Sequence, residues 1–297
     1  MKQRTTGTII TSVAGFYDVA TEHGTVRTRA RGVFRKNKEK PVVGDHVQVE
    51  LDGNQTNYLV KILPRRNFLK RPLLANVSRV ILVISAVEPD FSLNLLDRFI
   101  IFFESEGINV ELYLSKQDIV KPARLEEIKQ ALQYYARIGY PLLSYEGTTK
   151  AEILNLMEDE DILVLAGQSG AGKSTLLNKL KQDARQATAP ISSSLNRGKH
   201  TTRQIELFTY GPGYIADTPG FSSIELHQIK LLDLVDYFRD FVAHAAECKF
   251  RGCQHLNEPG CAVKNLVASG EILQSRYDNY LTMRKEIEDN KLPEYRK

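Results

Sequence analysis

The segment Gly167-Gln168-Ser169-Gly170-Ala171-Gly172-Lys173-Ser174, followed by Thr175, fits the pattern G-x-x-x-x-G-K-[ST] at every fixed position. Glycines at these places let backbone N–H groups turn inward around a polyphosphate. A helix N-terminus just beyond adds a favourable dipole. Lys173 is placed to reach β- and γ-phosphate oxygens, and the Ser174 hydroxyl to hold Mg²⁺. A second cluster, Cys248-x₄-Cys253-x-His255-x₅-Cys261, offers three thiolates and one imidazole. That donor set suits a closed, structural, tetrahedral Zn²⁺ site with no open position for catalysis. All three cysteines of the chain fall in this cluster, an odd number that a disulfide framework cannot use fully.

P-loops serve ATP and GTP alike, so the base needs its own signal. Ser115-Lys116-Gln117-Asp118 follows the apolar run Leu112-Tyr113-Leu114 and looks like the N-K-x-D guanine motif of GTPases. An Asp at position 118 accepts from guanine N1–H and the 2-amino group, whereas adenine presents the opposite pattern on that edge. Lys116 would pack its stem along the base. Ser115 stands where that motif has Asn, and a weaker tie between this loop and the P-loop is expected from it. Asp217-Thr218-Pro219-Gly220 follows a strand read at Tyr214–Ala216 and resembles D-x-x-G. There Asp217 can serve Mg²⁺ and the Gly220 N–H the γ-phosphate. Upstream, Gly198-Lys199-His200-Thr201-Thr202-Arg203 supplies switch threonines, with Thr201 and Thr202 as candidate Mg²⁺ ligands. The order is unusual: the guanine motif precedes the P-loop, as it would if the termini were joined and the chain cut elsewhere.

These parts need a frame. From about residue 75 the chain alternates strands and helices: Arg79–Ser85, a helix over 93–106, Val110–Leu114, and a helix opened by Pro122 and running to about Ile138. Ile162–Ala166 leads into a helix from Lys173, and Ile205–Thr209 with Tyr214–Ala216 forms a hairpin around Gly211-Pro212-Gly213. That alternation predicts an α/β fold with a doubly wound, mostly parallel sheet. Residues 1–62 instead read as about five short strands, consistent with an OB-fold barrel and also with an SH3-like one. After about residue 223 the pattern is helical, interrupted by the cysteine cluster. The expected domains are a barrel at 1–72, a permuted nucleotide-binding domain at 73–222 and a helical zinc domain at 223–297.

Net charge is +4, unevenly placed. Residues 1–72 hold fourteen Lys/Arg and six Asp/Glu, a balance of +8, so the rest carries −4. A basic β module on an acidic body points to a polyanionic partner, RNA first. Arg27, Arg29, Arg31, Arg35 and Lys36 are the candidate contacts. The chain is 42% hydrophobic and 26% charged. It has no run of about eighteen apolar residues, and Met1–Thr6 lacks an apolar leader core. A cytoplasmic protein with no membrane partner is expected.

With these motifs in this order, the chain resembles the small-subunit-dependent GTPases called RsgA or YjeQ/YloQ. The resemblance also rests on Arg71-Pro72-Leu73-Leu74-Ala75-Asn76-Val77, and it covers essentially the whole chain. It implies an OB domain, a permuted GTPase domain and a zinc domain. It also implies GTP hydrolysis to GDP, stimulated by the small ribosomal subunit during late maturation. Contact with rRNA and a monomeric state are expected beside it. Phe221 stands where Ras-like enzymes place a water-orienting Gln, so slow intrinsic turnover follows. His200 becomes the implied water-positioning residue, with Lys173 and Thr202 acting beside it. Ser144-Tyr145-Glu146 departs from the family's usual S-A-K-type loop beside the base. Two readings of other kinds remain open at this point: a nucleotide-gated RNA-binding protein, and a P-loop ATPase or kinase.

Overall fold

The computed structural model describes residues 3–36, 39–52, 56–144, 149–187, 205–221, 224, 226 and 228–289. It divides into two compact units. The first holds residues 1–81, 146–166 and 172–221; the second holds 82–145, 167–171 and 222–297.

The first unit opens with β1 (Gln3–Val13), β2 (Phe16–Thr21), β3 (Gly24–Ala30), the one-turn helix α1 (Gly32–Lys36), β4 (His46–Leu51) and β5 (Asn57–Ile62). The inward residues of their alternating pattern, Ile9, Val19, Val47, Val49 and Leu59, have no solvent exposure. β1 pairs with β2 and β4, β2 with β3, and β5 with both β3 and β4, which closes the barrel in the order β1-β2-β3-β5-β4-β1. The parallel β3–β5 pair decides between the two barrels read from sequence: this is the OB arrangement. A register shift between Ile9 and Thr11 re-aims β1. Its far end then pairs antiparallel with a later strand at Thr11↔Glu206.

A two-stranded ribbon, β6 (Phe68–Lys70) and β7 (Leu73–Ala75), leads out of the barrel. Asn76 then adopts a left-handed backbone, φ 57°. Its carboxamide accepts from Arg66 N at 2.8 Å and donates to Gly44 O at 2.9 Å. Gly44 must be glycine, because a Cβ there would lie 2.2 Å from Ala75 O. The Ala75-Asn76-Val77 stretch is therefore a clamp at the barrel exit.

β8 (Val77–Ser85) runs from the first unit into the second, and Val80–Val83 are all buried, the continuous apolar run of a strand covered on both faces. In the second unit follow α2 (Leu93–Ser105), β9 (Asn109–Ser115), α3 (Pro122–Arg137) and the two-residue β10 (Leu142–Leu143). Ser92 caps α2 by accepting from Leu95 N, and Pro122 stands in the first turn of α3. The first unit resumes with α4 (Thr149–Leu156), the fully buried β11 (Ile162–Ala166), α5 (Lys173–Ala187), β12 (Glu206–Tyr210) and β13 (Gly213–Phe221). β11 and β13 are parallel, and β12 and β13 form the hairpin.

The second unit ends with α6 (Arg239–His244), α7 (Ala262–Ser269) and α8 (Gln274–Glu288). α6 and α8 share a buried charge network with α2 and α3. Arg276 has no exposure and donates to Asp97 Oδ1 at 2.5 Å and to Asp240 Oδ2 at 3.2 Å. Tyr135 and Asn279 also donate to Asp97, at 2.7 and 2.6 Å, and Tyr134 donates to Asp240 at 2.6 Å. Burial alone would make such charges costly; here each carboxylate is met by several donors. No helix among the described residues is long and apolar enough to cross a membrane.

Candidate functional site

β11 delivers the chain into the loop at 167–172, and α5 starts at Lys173, the strand–loop–helix context that the P-loop pattern demands. Gly167 has φ 134°, and a Cβ there would meet Val83 O at 2.1 Å, so only glycine lets the loop leave beside β8. Gly170 and Gly172 also have positive φ, 79° and 93°. Within the second unit the Ala171 N–H donates to Gln168 O at 3.2 Å, curling the loop. Gly167 and Ala171 are buried, Gln168 is half-buried, and Ser169 and Gly170 are exposed. In the first unit Lys173 is half-buried, and that burial pulls its ammonium below the ordinary lysine value. Nearby phosphate charge would offset that cost. Ser174 and Thr175 are exposed on the first turn of α5.

The guanine motif lies at the end of β9 in the second unit. Ser115 is buried, and its hydroxyl is placed 2.6 Å from Ala171 O and 3.2 Å from Ile84 O. The short side chain of Ser115, standing where the motif has Asn, reaches the P-loop carbonyl directly. Lys116 sits at φ 56° with its ammonium on Glu88 O, and Asp118 is exposed at the loop tip. Ser144 is exposed after β10, while Tyr145 and Glu146 lie outside the described residues.

The D-x-x-G segment differs from its expectation. β13 does not stop at Ala216 but continues to Phe221, so Asp217 and Gly220 lie inside a strand. Continued pairing explains this. Asp217 stands opposite Glu206 on β12, and Phe221 opposite Ala166 on β11, with an irregularity in between. Asp217 accepts from Lys181 Nζ at 2.5 Å, and Lys181 also lies 5.4 Å from the Phe208 ring. Lys181 went unread in the sequence, because nothing local marks a lysine on α5 as the partner of a residue two strands away. His200, Thr201 and Thr202 lie outside the described residues.

Cys248, Cys253, His255 and Cys261 are brought together, their ligand atoms all within 4.8 Å of one another. His255 Nδ1 faces the sulfurs, 3.7 Å from Cys248 Sγ and 3.3 Å from Cys261 Sγ. Donors of a tetrahedral zinc ion sit about 3.5–3.8 Å apart, so this group can hold one Zn²⁺ with small adjustment. The chemistry agrees. Burial pushes the Cys253 thiol up to about 12 and raises Cys261 as well, so thiolates here need a cation beside them. The ligand loop is held from α8: Tyr277 donates to His255 O at 2.6 Å and Tyr280 to Gln254 O at 2.7 Å. These bonds support His255 at φ 55°. Cys261 is also the N-cap of α7.

On the barrel, Arg27 and Arg29 lie over the Phe16 ring at 4.8 and 4.2 Å. Arg31 pairs with Glu50 at 2.5 Å and lies 5.8 Å from the Tyr58 ring. Lys36 is exposed at the end of α1; Arg35 belongs to the same turn.

Comparison with known proteins agrees with this geometry. Residues 62–227 match the family model described as RsgA GTPase, and residues 6–59 that of the RsgA N-terminal domain. A small ribosomal subunit biogenesis GTPase RsgA of Lactobacillus acidophilus is 58% identical over 291 residues, covering 98% of each chain. That of Lactobacillus johnsonii is 57% identical with the same coverage. Among solved structures, YloQ, a circularly permuted GTPase, matches with TM-score 0.83 at 38% identity, over 98% of this chain and 97% of that one. YjeQ from Thermotoga maritima matches with TM-score 0.81 at 30% identity, over 96% and 99%. The chain belongs to the RsgA GTPase family and is a circularly permuted GTP hydrolase.

Proposed function

We propose that this enzyme binds the small ribosomal subunit and hydrolyses GTP there during late subunit maturation, with turnover stimulated by the subunit. The names of its relatives support the partner. One observation carries the site: Ser115 of the guanine motif touches Ala171 of the P-loop, 56 residues away, although the two motifs run in reversed order. The loop that carries Asp118 is thereby tied to the phosphate loop, and this supports the reading of GTP over ATP.

Under this reading water attacks the γ-phosphorus and GDP leaves. Lys173 and the loop N–H groups at 167–175 stabilise the developing charge, while Ser115, Lys116 and Asp118 hold the base. Ser174, Asp217 and one of Thr201 and Thr202 are the proposed Mg²⁺ ligands, and the Gly220 N–H meets the γ-phosphate. When bound, Mg²⁺ neutralises charge on the phosphate oxygens. Asp217 would exchange Lys181 for that cation. His200 positions the water. The roles divide among a barrel at 1–72, a GTPase domain at 73–222 and a zinc domain at 223–297 whose metal is structural. The protein acts as a cytoplasmic monomer.

The barrel is the proposed rRNA anchor, on its +8 charge balance and OB topology. Removing it whole is a poor test, because β1 is paired with β12 at Thr11↔Glu206. Charge reversal at Arg27, Arg29 and Arg31 is cleaner. Subunit-stimulated turnover should fall steeply while turnover without subunits persists. Full stimulation of the reversed variant would remove the barrel from this role.

A further inference from the structure

The barrel's register places five outward residues in one row, one per strand. Phe16 of β2 stands opposite Arg29 of β3, Arg29 opposite Tyr58 of β5, Tyr58 opposite Glu50 of β4, and Glu50 opposite Arg4 of β1. The inward neighbours confirm the facing: Tyr17, Thr28, Val49 and Leu59 are all buried. With strands about 4.8 Å apart, the row spans roughly 19 Å of arc. Its order is aromatic, cation, aromatic, anion, cation.

The cations are not free-swinging. Arg27 and Arg29 lie on the Phe16 ring, and Arg31 is held between Glu50 and Tyr58. Flat guanidinium groups laid on rings lose less freedom on binding than solvated lysines do. Glu50 is only 6% exposed, and the arginines cover it. The patch thus presents four arginines against two acids, Asp18 and Glu50. Tyr58 remains 36% exposed in its middle.

A surface made only for duplex phosphates has no use for an open aromatic ring in its centre. Unpaired bases do: they stack on aromatic rings and on guanidinium planes, while the backbone takes the charge. We propose that the row Phe16–Arg29–Tyr58 is a stacking platform for an unpaired base of single-stranded or looped RNA. The barrel then reads unstacked RNA rather than helix backbone. This rests on the proposal that the barrel is the RNA anchor, and it adds the class of RNA and the residues that select it.

The test uses the full-length protein and an oligoribonucleotide of about twelve nucleotides carrying a central 2-aminopurine, both single-stranded and annealed to its complement. Stacking quenches the 2-aminopurine, and the chain has no tryptophan to interfere. Wild type should bind the single strand at least tenfold tighter than the duplex and quench it. Tyr58→Leu should lose about tenfold in single-strand affinity and most of the quench, with an unchanged salt slope and an unfolding midpoint close to wild type. Tyr58→Trp should retain both. Arg29→Gln should instead reduce the salt slope. Equal affinity for duplex and single strand, or full quench with Tyr58→Leu, overturns the platform. If Arg29→Gln weakens binding but Tyr58→Leu does not, the anchor stands and the stacking fails. If neither variant matters, the anchor fails with it.

Discussion

Ser115→Ala removes one oxygen, and the structure says what it should cost. The hydroxyl joins two carbonyls, Ala171 O at 2.6 Å and Ile84 O at 3.2 Å, at a position 6% exposed. One hydroxyl proton can serve one carbonyl at a time, and the shorter contact should dominate. A buried bond of this kind contributes about 1 kcal/mol net, and leaving its acceptor without the donor raises the cost toward about 2 kcal/mol. The bond ties the loop at 115–118, proposed to read the base, to the phosphate loop, so the loss should fall on nucleotide affinity rather than on global stability. About 1.4 kcal/mol is a factor of ten. GDP and GTP should therefore each bind about tenfold more weakly to Ser115→Ala, measured by titration with a fluorescent nucleotide. Ser115→Thr, which keeps the hydroxyl, should bind within about threefold of wild type, less than 1 kcal/mol. Thermal unfolding without nucleotide should move little in both. Unchanged affinity in Ser115→Ala, or equal losses in Ala and Thr, would refute the tie between the two loops.

Asp118→Asn should shift preference from GTP toward xanthosine triphosphate, because an amide can donate to the 2-oxo group; competition binding of the two nucleotides reads this. Arg276→Met leaves Asp97 and Asp240 buried without their cation and should cost about 3–5 kcal/mol in denaturant unfolding. Burial already raises the Asp97 carboxyl, and Arg276 is its largest pull downward. Without Arg276 it rises further and binds a proton in the folded state only. The deficit should therefore narrow as pH falls through that value and widen as pH rises above it. Chelation, or Cys253→Ala, should unfold the α6–α8 region, read by protease sensitivity, with one zinc per chain found by elemental analysis of untreated protein.

Chemistry carried by contiguous residues was legible in the sequence, and so were the elements that flank it. The P-loop and the cysteine cluster each complete their pattern within fourteen residues, Gly167–Thr175 and Cys248–Cys261. Hydrophobic period placed β8, β9, β11, α2 and α3 within about two residues. What escaped needs partners far apart in the chain. The OB and SH3-like barrels differ in which strands pair, and the β3–β5 pair joins residues about thirty positions apart. Asp97 meets Arg276 across 179 residues, and no local pattern on either helix announces it. β10 is two residues long and α4 eight, too short for a period to show. The extent of β13 was misread because Pro219-Gly220 looks like a turn, while pairing with β12 and β11 carries the strand past it.

A guanine-selective hydrolase that answers to the small ribosomal subunit must tell GTP from ATP and respond to its partner. Phosphate release from GTP and from ATP, each with and without purified small subunits, measures both properties at once. GTP turnover should be slow alone and rise strongly with subunits, with little ATP turnover in either case. Equal turnover of ATP would remove the guanine selectivity, and GTP turnover indifferent to the subunit would remove the partner.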